Sequence, residues 1–275
     1  STTASQASLN SSLRLEAGEI AVTSDWRRVT FATTYQQPMV VTGPASMKDK
    51  APVTVRLRNI TTTGFEICLI PWPYQRTAHG GETVSYLVME RGSHTLADGS
   101  RIEAGSFTGS IGLSTVTLKS SFTRTPVLLT TITSCNDAEA ISGRVLPVAK
   151  TGFNYTFRVQ ERRSSRVHAN ETVHYVAWES GTGLIGTARF ETAVTTPSIT
   201  SAWTSVALQS TFKQSPLLFA DIQSSTELDP ATLRVQQTST KGFQAMVQEE
   251  QSQDREMTHR AEKIGYLAID PVSVG

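Results

Sequence analysis

The chain has 275 residues and carries 25 Lys and Arg against 24 Asp and Glu, a formal net charge of +1. Charges of both signs are scattered rather than blocked, which argues against nucleic acid or an anionic membrane surface as the main partner; no run of roughly 18 apolar residues exists that could insert in a membrane as a helix. Cys68 and Cys135 are too few for a disulfide framework and their spacing fits no zinc site, so buried free thiols are expected, with one bridge between them the alternative.

Residues 1–12, "STTASQASLNSS", lack apolar periodicity and read as a linker, which suggests a module of something longer. "RLEAGEI" then opens a series of short segments rich in Val, Thr, Ile and aromatics: "WRRVTFATTY", "PMVVTG", "PVTVRLRNI", "GFEICLI" and "ETVSYLVME". Gly, Pro, Asn and Asp separate them. None sustains the i, i+3, i+4 apolar spacing of a helix, so five or six antiparallel strands forming a small β-sandwich are predicted. The "TGF" step at Gly64 predicts a hairpin turn whose glycine takes a positive φ. After it, Phe65, Ile67 and Leu69 share one face and Glu66 lies on the other.

The series then repeats, reopened by "RIEAGSF" and "RFETAVT". Pro38, Pro126 and Pro216, then Arg56, Arg144 and Arg234, then Gly64, Gly152 and Gly242 recur at intervals of 88 and 90; His79, His168 and His259 recur at 89 and 91. Three units follow, at 13–99, 100–186 and 187–275. In the first closing strand Val84, Tyr86 and Val88 lie opposite Leu87 and Met89, and Val176 with Trp178 and Leu267 with Ile269 repeat the second set. A sandwich has one interior, so this second apolar face is expected to pack on neighbouring units. The expected fold is all-β: three tandem small antiparallel β-sandwiches arranged as a pseudo-trimer, one monomeric chain imitating a cyclic trimer.

The proline, strand arginine, "TGF" and "YLVME" closing strand, with "DWRRVTF" and "AWTSVAL" placing Trp26 and Trp203, resemble the H-type lectin family, the snail agglutinin and discoidin C-terminal domain group. Unit two has "LSTVTL" at the tryptophan segment. The resemblance covers nearly the whole chain, once per unit. It implies six-stranded antiparallel sandwiches that assemble as trimers and bind N-acetylgalactosamine or galactose near protomer interfaces. At the family's sugar-binding Trp-His pair stand Trp72 and Pro73, Gln160 and Glu161, and Glu250 and Gln251; at its sugar-contacting arginine stand Pro52, Ala140 and Pro230.

Arg56, Arg144 and Arg234 lie among apolar strand residues, so each charge is expected to be buried and paired, with Glu90, Glu179 and Asp270 as candidate partners in contacts between units. Ligand contact is the alternative. His79, His168 and His259 each precede a glutamate (Glu82, Glu171, Glu262) by three positions. Either each histidine hydrogen-bonds a neighbouring unit and each glutamate caps a strand end, or the histidines converge on a threefold axis as metal ligands; the pattern requires no metal or cofactor. "PWPYQR" at 71–76 offers Trp72 and Tyr74 as sugar-stacking rings and Arg76 as a hydrogen-bonding fork, with local packing the alternative for the rings. The loop varies in length between units and supplies Arg162 and Arg163 in the second, which suits ligand binding, an acidic polysaccharide included.

No catalytic motif is present, and the acids recur with the repeat, so an enzyme is not expected. The sequence points to a non-catalytic carbohydrate-binding module, extracellular or at the cell surface within a larger protein, with galactose-type sugars implied by the resemblance. The alternative is a structural or protein-interaction module, a spacer or docking ring.

Overall fold

The computed structural model describes residues 13–163, 166–254 and 258–275. Apart from one 3-10 turn at Glu161–Arg163, the regular elements of the described residues are all strands, as their β-branched and aromatic content dictates. The first unit comprises β1 (Leu15–Val22), β2 (Arg27–Thr30), β3 (Pro38–Thr42), β4 (Val53–Thr61), β5 (Gly64–Pro71) and β6 (Glu82–Glu90). They form two antiparallel sheets, one with β6 between β1 and β3, the other with β5 between β2 and β4.

After a short strand β7 (Gly92–Thr95), the pattern returns as β8 (Arg101–Gly109), β9 (Ser114–Thr117), β10 (Pro126–Ile132), β11 (Ser142–Val145), β12 (Gly152–Arg158) and β13 (Glu171–Glu179). It returns again after β14 (Gly181–Ile185) as β15 (Ala188–Val194), β16 (Thr204–Ala207), β17 (Leu217–Ile222), β18 (Ala231–Gln236), β19 (Gly242–Glu249) and β20 (Ile264–Ile269), and the chain finishes with β21 (Val272–Val274). The three short strands are connectors with a second role. β7 pairs with β8, β14 with β15, and β21 with β1, where Val274 lies opposite Leu15. The tail of each unit thus completes the first sheet of the next, and the last tail completes the first unit.

Four apolar clusters follow from this arrangement. Three lie inside single sandwiches, around Phe65 and Val88, Phe153 and Val173, and Phe243 and Ile264. The fourth draws on all three units: Leu87 and Met89, Val176 and Trp178, and Leu267 and Ile269 are completely buried in it. These are the second-face residues of the closing strands, and tyrosines on the first face fasten them locally. Tyr86, Tyr175 and Tyr266 hydroxyls donate to Glu16, Glu103 and Glu191 at 3.1, 2.6 and 2.6 Å, tying the last strand of each unit to its first.

The edge strands that meet inside the molecule are also satisfied across units. Val40 N donates to His174 Nδ1 at 3.0 Å and Thr42 N to Thr131 Oγ1 at 2.8 Å; Leu128 N donates to Gln223 Oε1 at 2.9 Å and Thr130 N to Asp221 Oδ2 at 2.6 Å. A sheet edge that would otherwise recruit another chain is thereby closed. Around Thr42, Thr130, Asp221 and Thr232 the three units leave a cavity of about 120 Å³.

Two expectations need correction. Gly64, Gly152 and Gly242 do not take a positive φ; in this stretch Asn59 and Gln237 do, both at 51°, and in unit one the register shifts between Arg58 and Thr61. The glycines are needed for close approach instead, since a Cβ would stand 2.1, 2.3 and 2.4 Å from the carbonyl oxygens of Val29, Val116 and Val206 on the paired strands. Cys68 and Cys135 are both free thiols, but Cys135 is half-exposed.

A core shared by all three units makes their unfolding cooperative. Leu87→Ala is expected to cost about 2–5 kcal/mol in urea denaturation, with tryptophan fluorescence and backbone circular dichroism moving to the same lower midpoint. Separate transitions for unit one and the rest would contradict the shared core.

Candidate functional site

The repeated arginines, histidines and glutamates meet where one unit abuts the next. Arg56, Arg144 and Arg234 sit in β4, β11 and β18 and are at most 2 % exposed. Each reaches out of its own sheet into a loop of another unit. Arg56 donates to the carbonyls of Asp137 and Glu139 at 3.1 and 3.0 Å, Arg144 to that of Asp229 at 2.9 Å, and Arg234 to those of Ser46, Asp49 and Ala51 at 2.7, 2.7 and 3.0 Å. The order of contact is therefore one to two, two to three and three to one.

The carboxylates opposite these guanidiniums are Glu171, Glu262 and Glu82, at 3.5, 3.7 and 3.4 Å. They are not the acids that spacing suggested. Glu90, Glu179 and Asp270 stand at the outer ends of their strands and accept backbone N–H groups, Glu90 from Gln36 and Gln37, Glu179 from Arg101, Thr123 and Arg124, and Asp270 from Arg189. Glu82, Glu171 and Glu262 grip the same loops from the other side: Glu82 accepts from Lys48 and Asp49 N at 2.7 and 2.8 Å, Glu171 from Asn136 and Asp137 N at 3.0 Å each, and Glu262 from Thr226 N at 3.2 Å. Each loop is held with its N–H groups on a glutamate of its own unit and its carbonyls on the arginine of another.

The histidines do not converge on an axis. Each contacts groups of its own unit, and His79 and His259 lie beside the glutamate three residues on, in the irregular stretch that leads into the closing strand. His79 is buried between Asp49 and Glu82, at 3.8 and 3.9 Å, and burial lowers its pKa. His168 contacts the carbonyls of Ala169 and Glu139 at 2.8 and 3.2 Å. His259 faces three carboxylates, with Nε2 3.1 Å from Glu262, and Nδ1 in contact with Glu249 and 3.2 Å from Glu227. Burial alone would lower its pKa, but hydrogen bonds to Glu249 and Glu262 outweigh this and raise it to about 9. Burial works against Glu262 as well, yet His259, Ser224 and Thr226 hold its carboxyl at about 2.

The loops expected to carry ligand meet one another across the units. Trp72 is only 1 % exposed, so it packs inside and offers no sugar platform. The prolines on either side, Pro71 and Pro73, are themselves half-buried. Tyr74 is half-buried and joins all three units: its N–H donates to Gln160 Oε1 at 2.8 Å, and its hydroxyl accepts from Gln251 N at 3.3 Å. Glu161 N donates to Glu250 Oε1 at 2.8 Å and Arg162 N to Ser252 Oγ at 3.1 Å. Arg76, Arg162 and Arg163 are exposed; Arg163 pairs with Glu139 at 2.6 Å, while the other two have no ion-pair partner among the described residues. Beside them Glu161 is raised to about 7 by burial, with Asp229, Glu250 and Asp254 adding to the rise. Sequence reasoning missed Glu16, Glu103 and Glu191, although "RLEAG", "RIEAG" and "RFETA" repeat them, and it missed Asp49, Asp137 and Glu227, which recur at 88 and 90.

Fold and contacts together define an all-β chain of tandem sandwich units fastened by buried polar clamps. No protein-family model and no solved structure matches it. The chain is 28 % identical over 258 residues to halomucin of Haloquadratum walsbyi (strain DSM 16790 / HBSQ001), a match spanning 90 % of this chain and 3 % of halomucin. It is thus similar to a small segment of a far longer protein.

Removing Arg234 leaves the buried Glu82 carboxylate and three carbonyls without their partner. Arg234→Ala is expected to cost about 3–5 kcal/mol in urea denaturation, more than any exposed arginine such as Arg76.

Protonation gives a second test. His174 accepts from Val40 N, and burial pushes its pKa down to about 4, so its contribution is complete above its unfolded value of about 6.5 and is lost as pH falls through 4. His259 acts oppositely: its contribution is complete below about 6.5 and is lost as pH rises through 9. The two contributions are therefore lost on opposite sides of near-neutral pH, and on the acid side Asp221, whose carboxyl burial raises to about 7, works against the loss at His174. His174→Gln, whose amide oxygen can accept the same N–H as Gln223 does for Leu128, should remove the His174 loss, so its melting temperature gains on that of the native chain as pH falls from 6.5 to 4.

Proposed function

We propose that this chain is a non-catalytic carbohydrate-binding module of a larger extracellular protein, and that it takes a polysaccharide where the three loops join. The observation that carries this reading is the composite face itself. Hydrogen bonds from Tyr74, Glu161, Arg162 and Gln251 lock loops of different units together, leaving the Arg76 and Arg162 guanidiniums in solvent. With half-buried Glu161 among them, the face mixes fixed donors and acceptors rather than forming a basic patch, which suits sugar hydroxyls as well as an occasional acidic group. Ordering costs on binding are small for loops already tied down. The non-catalytic reading is supported by where the buried ionisable groups go: they hold backbone loops and one another. The likeness to a small part of halomucin supports a module of a longer extracellular protein.

The paired terminal strands bear on how such a module would be displayed. Leu15 and Val274 are direct partners, so within a longer chain the polypeptide would enter and leave at one place. The module would hang from the chain as a side bead, adding almost no contour length, which suits display better than spacing. Burial of Trp72 favours the second reading, a protein-docking module, because it removes the largest candidate stacking ring from the surface. Galactose-type specificity is supported by the H-type lectin resemblance alone.

The test is a glycan and polysaccharide array probed with the chain and an Arg76→Ala/Arg162→Ala variant. Polysaccharide binding that drops at least tenfold in the variant, at unchanged melting temperature, is expected. Absence of binding to every glycan would favour the docking reading.

A further inference from the structure

Among the described residues, the surroundings of His259 have no counterpart in the other two units. The ring is 2 % exposed, and both of its nitrogens face carboxylates, Nε2 towards Glu262 and Nδ1 towards Glu249 and Glu227. Two of these three acids belong to the repeated pattern, Glu227 matching Asp49 and Asp137, and Glu262 matching Glu82 and Glu171. Glu249 does not. It stands seven residues after Gly242, where the other units have Pro71 and Val159. Unit three has thus a third donor that the common scaffold does not require.

The arrangement around Nδ1 is more than one proton can satisfy. A single N–H points at one acceptor, yet two carboxylates converge on it, and the buried Glu227 Oε2 has no hydrogen-bond partner among the described residues although it lies only 3.2 Å from Nδ1. Counting formal charges, Glu227, Glu249 and Glu262 bring three negative charges against Arg144, the largely exposed Arg260 at 3.4 Å from Glu227 Oε1, and His259 when it is protonated. Two carboxylates converging on one nitrogen favour a positive charge at that point, which either a proton or a metal ion can supply.

We propose that Glu227, Glu249 and His259 Nδ1 form a binding site for a divalent cation of the zinc type. Ligand atoms of the three residues lie within 4.8 Å of one another. Neighbouring vertices of a tetrahedral zinc site, with bonds of about 2.0–2.1 Å, are about 3.3 Å apart, close to the 3.2 Å between Nδ1 and Glu227. Glu249 is nearer to Nδ1 than that, so it must withdraw slightly as the ion replaces the shared proton. Glu262 would then hold Nε2–H, fixing the tautomer that presents the Nδ1 lone pair, the arrangement in which metal-ligating histidines are usually supported. A nitrogen and two carboxylates suit zinc better than calcium, which takes six to eight oxygens. The site is independent of the loop face and of whether that face binds sugar.

The test is calorimetric titration of the chelator-treated chain with zinc chloride, with cobalt chloride as a spectroscopic probe. One zinc per chain is expected, with proton release, a rise in melting temperature and visible cobalt absorption. Glu249→Val, which copies unit two, should weaken zinc binding at least tenfold, whereas Asp49→Asn in unit one should leave it unchanged. A melting scan establishes that each variant is folded before titration. Absence of zinc binding by the native chain, or equal affinity in folded Glu249→Val, would overturn the proposal and leave the cluster as an imidazolium held by carboxylates.

Discussion

Each closing strand is apolar on both faces, and everything else in the structure accommodates that constraint. One face of β6, β13 and β20 fills the interior of its own sandwich; the other would be an exposed stripe of Leu, Met, Trp and Ile if the unit stood alone. Three such stripes have a common solution, which is to bury one another. The hydrophobic term favours this without specifying direction. Any sliding of one unit against the next that kept the stripes covered would be nearly as good.

Register is supplied by the buried arginines. Each guanidinium is inserted among the carbonyls of a loop whose N–H groups are held by a glutamate, so displacement by even one residue would strand several buried polar atoms. The inner sheet edges add the same kind of specificity, since Val40, Thr42, Leu128 and Thr130 donate to side chains of another unit. Apolar burial thus supplies the driving force, and the polar contacts select one arrangement. Closure of β21 on β1 lets the same pairing serve a single chain, because the tail of unit three does for unit one what β7 and β14 do for their successors.

Duplication explains why the three interfaces are alike, and divergence explains where they differ. Gly43 stands where units two and three have Thr131 and Asp221, and a Cβ there would come within 2.2 Å of the Leu218 carbonyl, so that interface is closed by backbone approach rather than by a side-chain acceptor. The three histidines have diverged further, from a ring at His79 whose pKa burial lowers to one enclosed by three carboxylates at His259. A scaffold fixed by repeated contacts leaves such positions free to acquire separate properties. The loop ends, which vary in length, were free in the same way.

The sequence by itself determined the strands, their faces and the threefold repetition, because alternation and turn residues act over a few positions and the landmarks recur at nearly constant intervals. It also marked Arg56, Arg144 and Arg234 as buried, since a charge amid strand apolar residues has nowhere else to go. Only the tertiary structure decided their partners. Glu90 and Glu82 both follow the repeat, and nothing local distinguishes an acid that caps a strand end from one that faces another unit. The same limit applies to Trp72: prolines and polar neighbours make the segment look exposed, and its burial depends on how the surrounding chain packs over it. The role of Gly64 was misread for a related reason, because a close approach between paired strands is invisible until the strands are paired. Intervals along the chain carry local geometry; contacts between units depend on how three copies turn towards one another, which no single copy encodes.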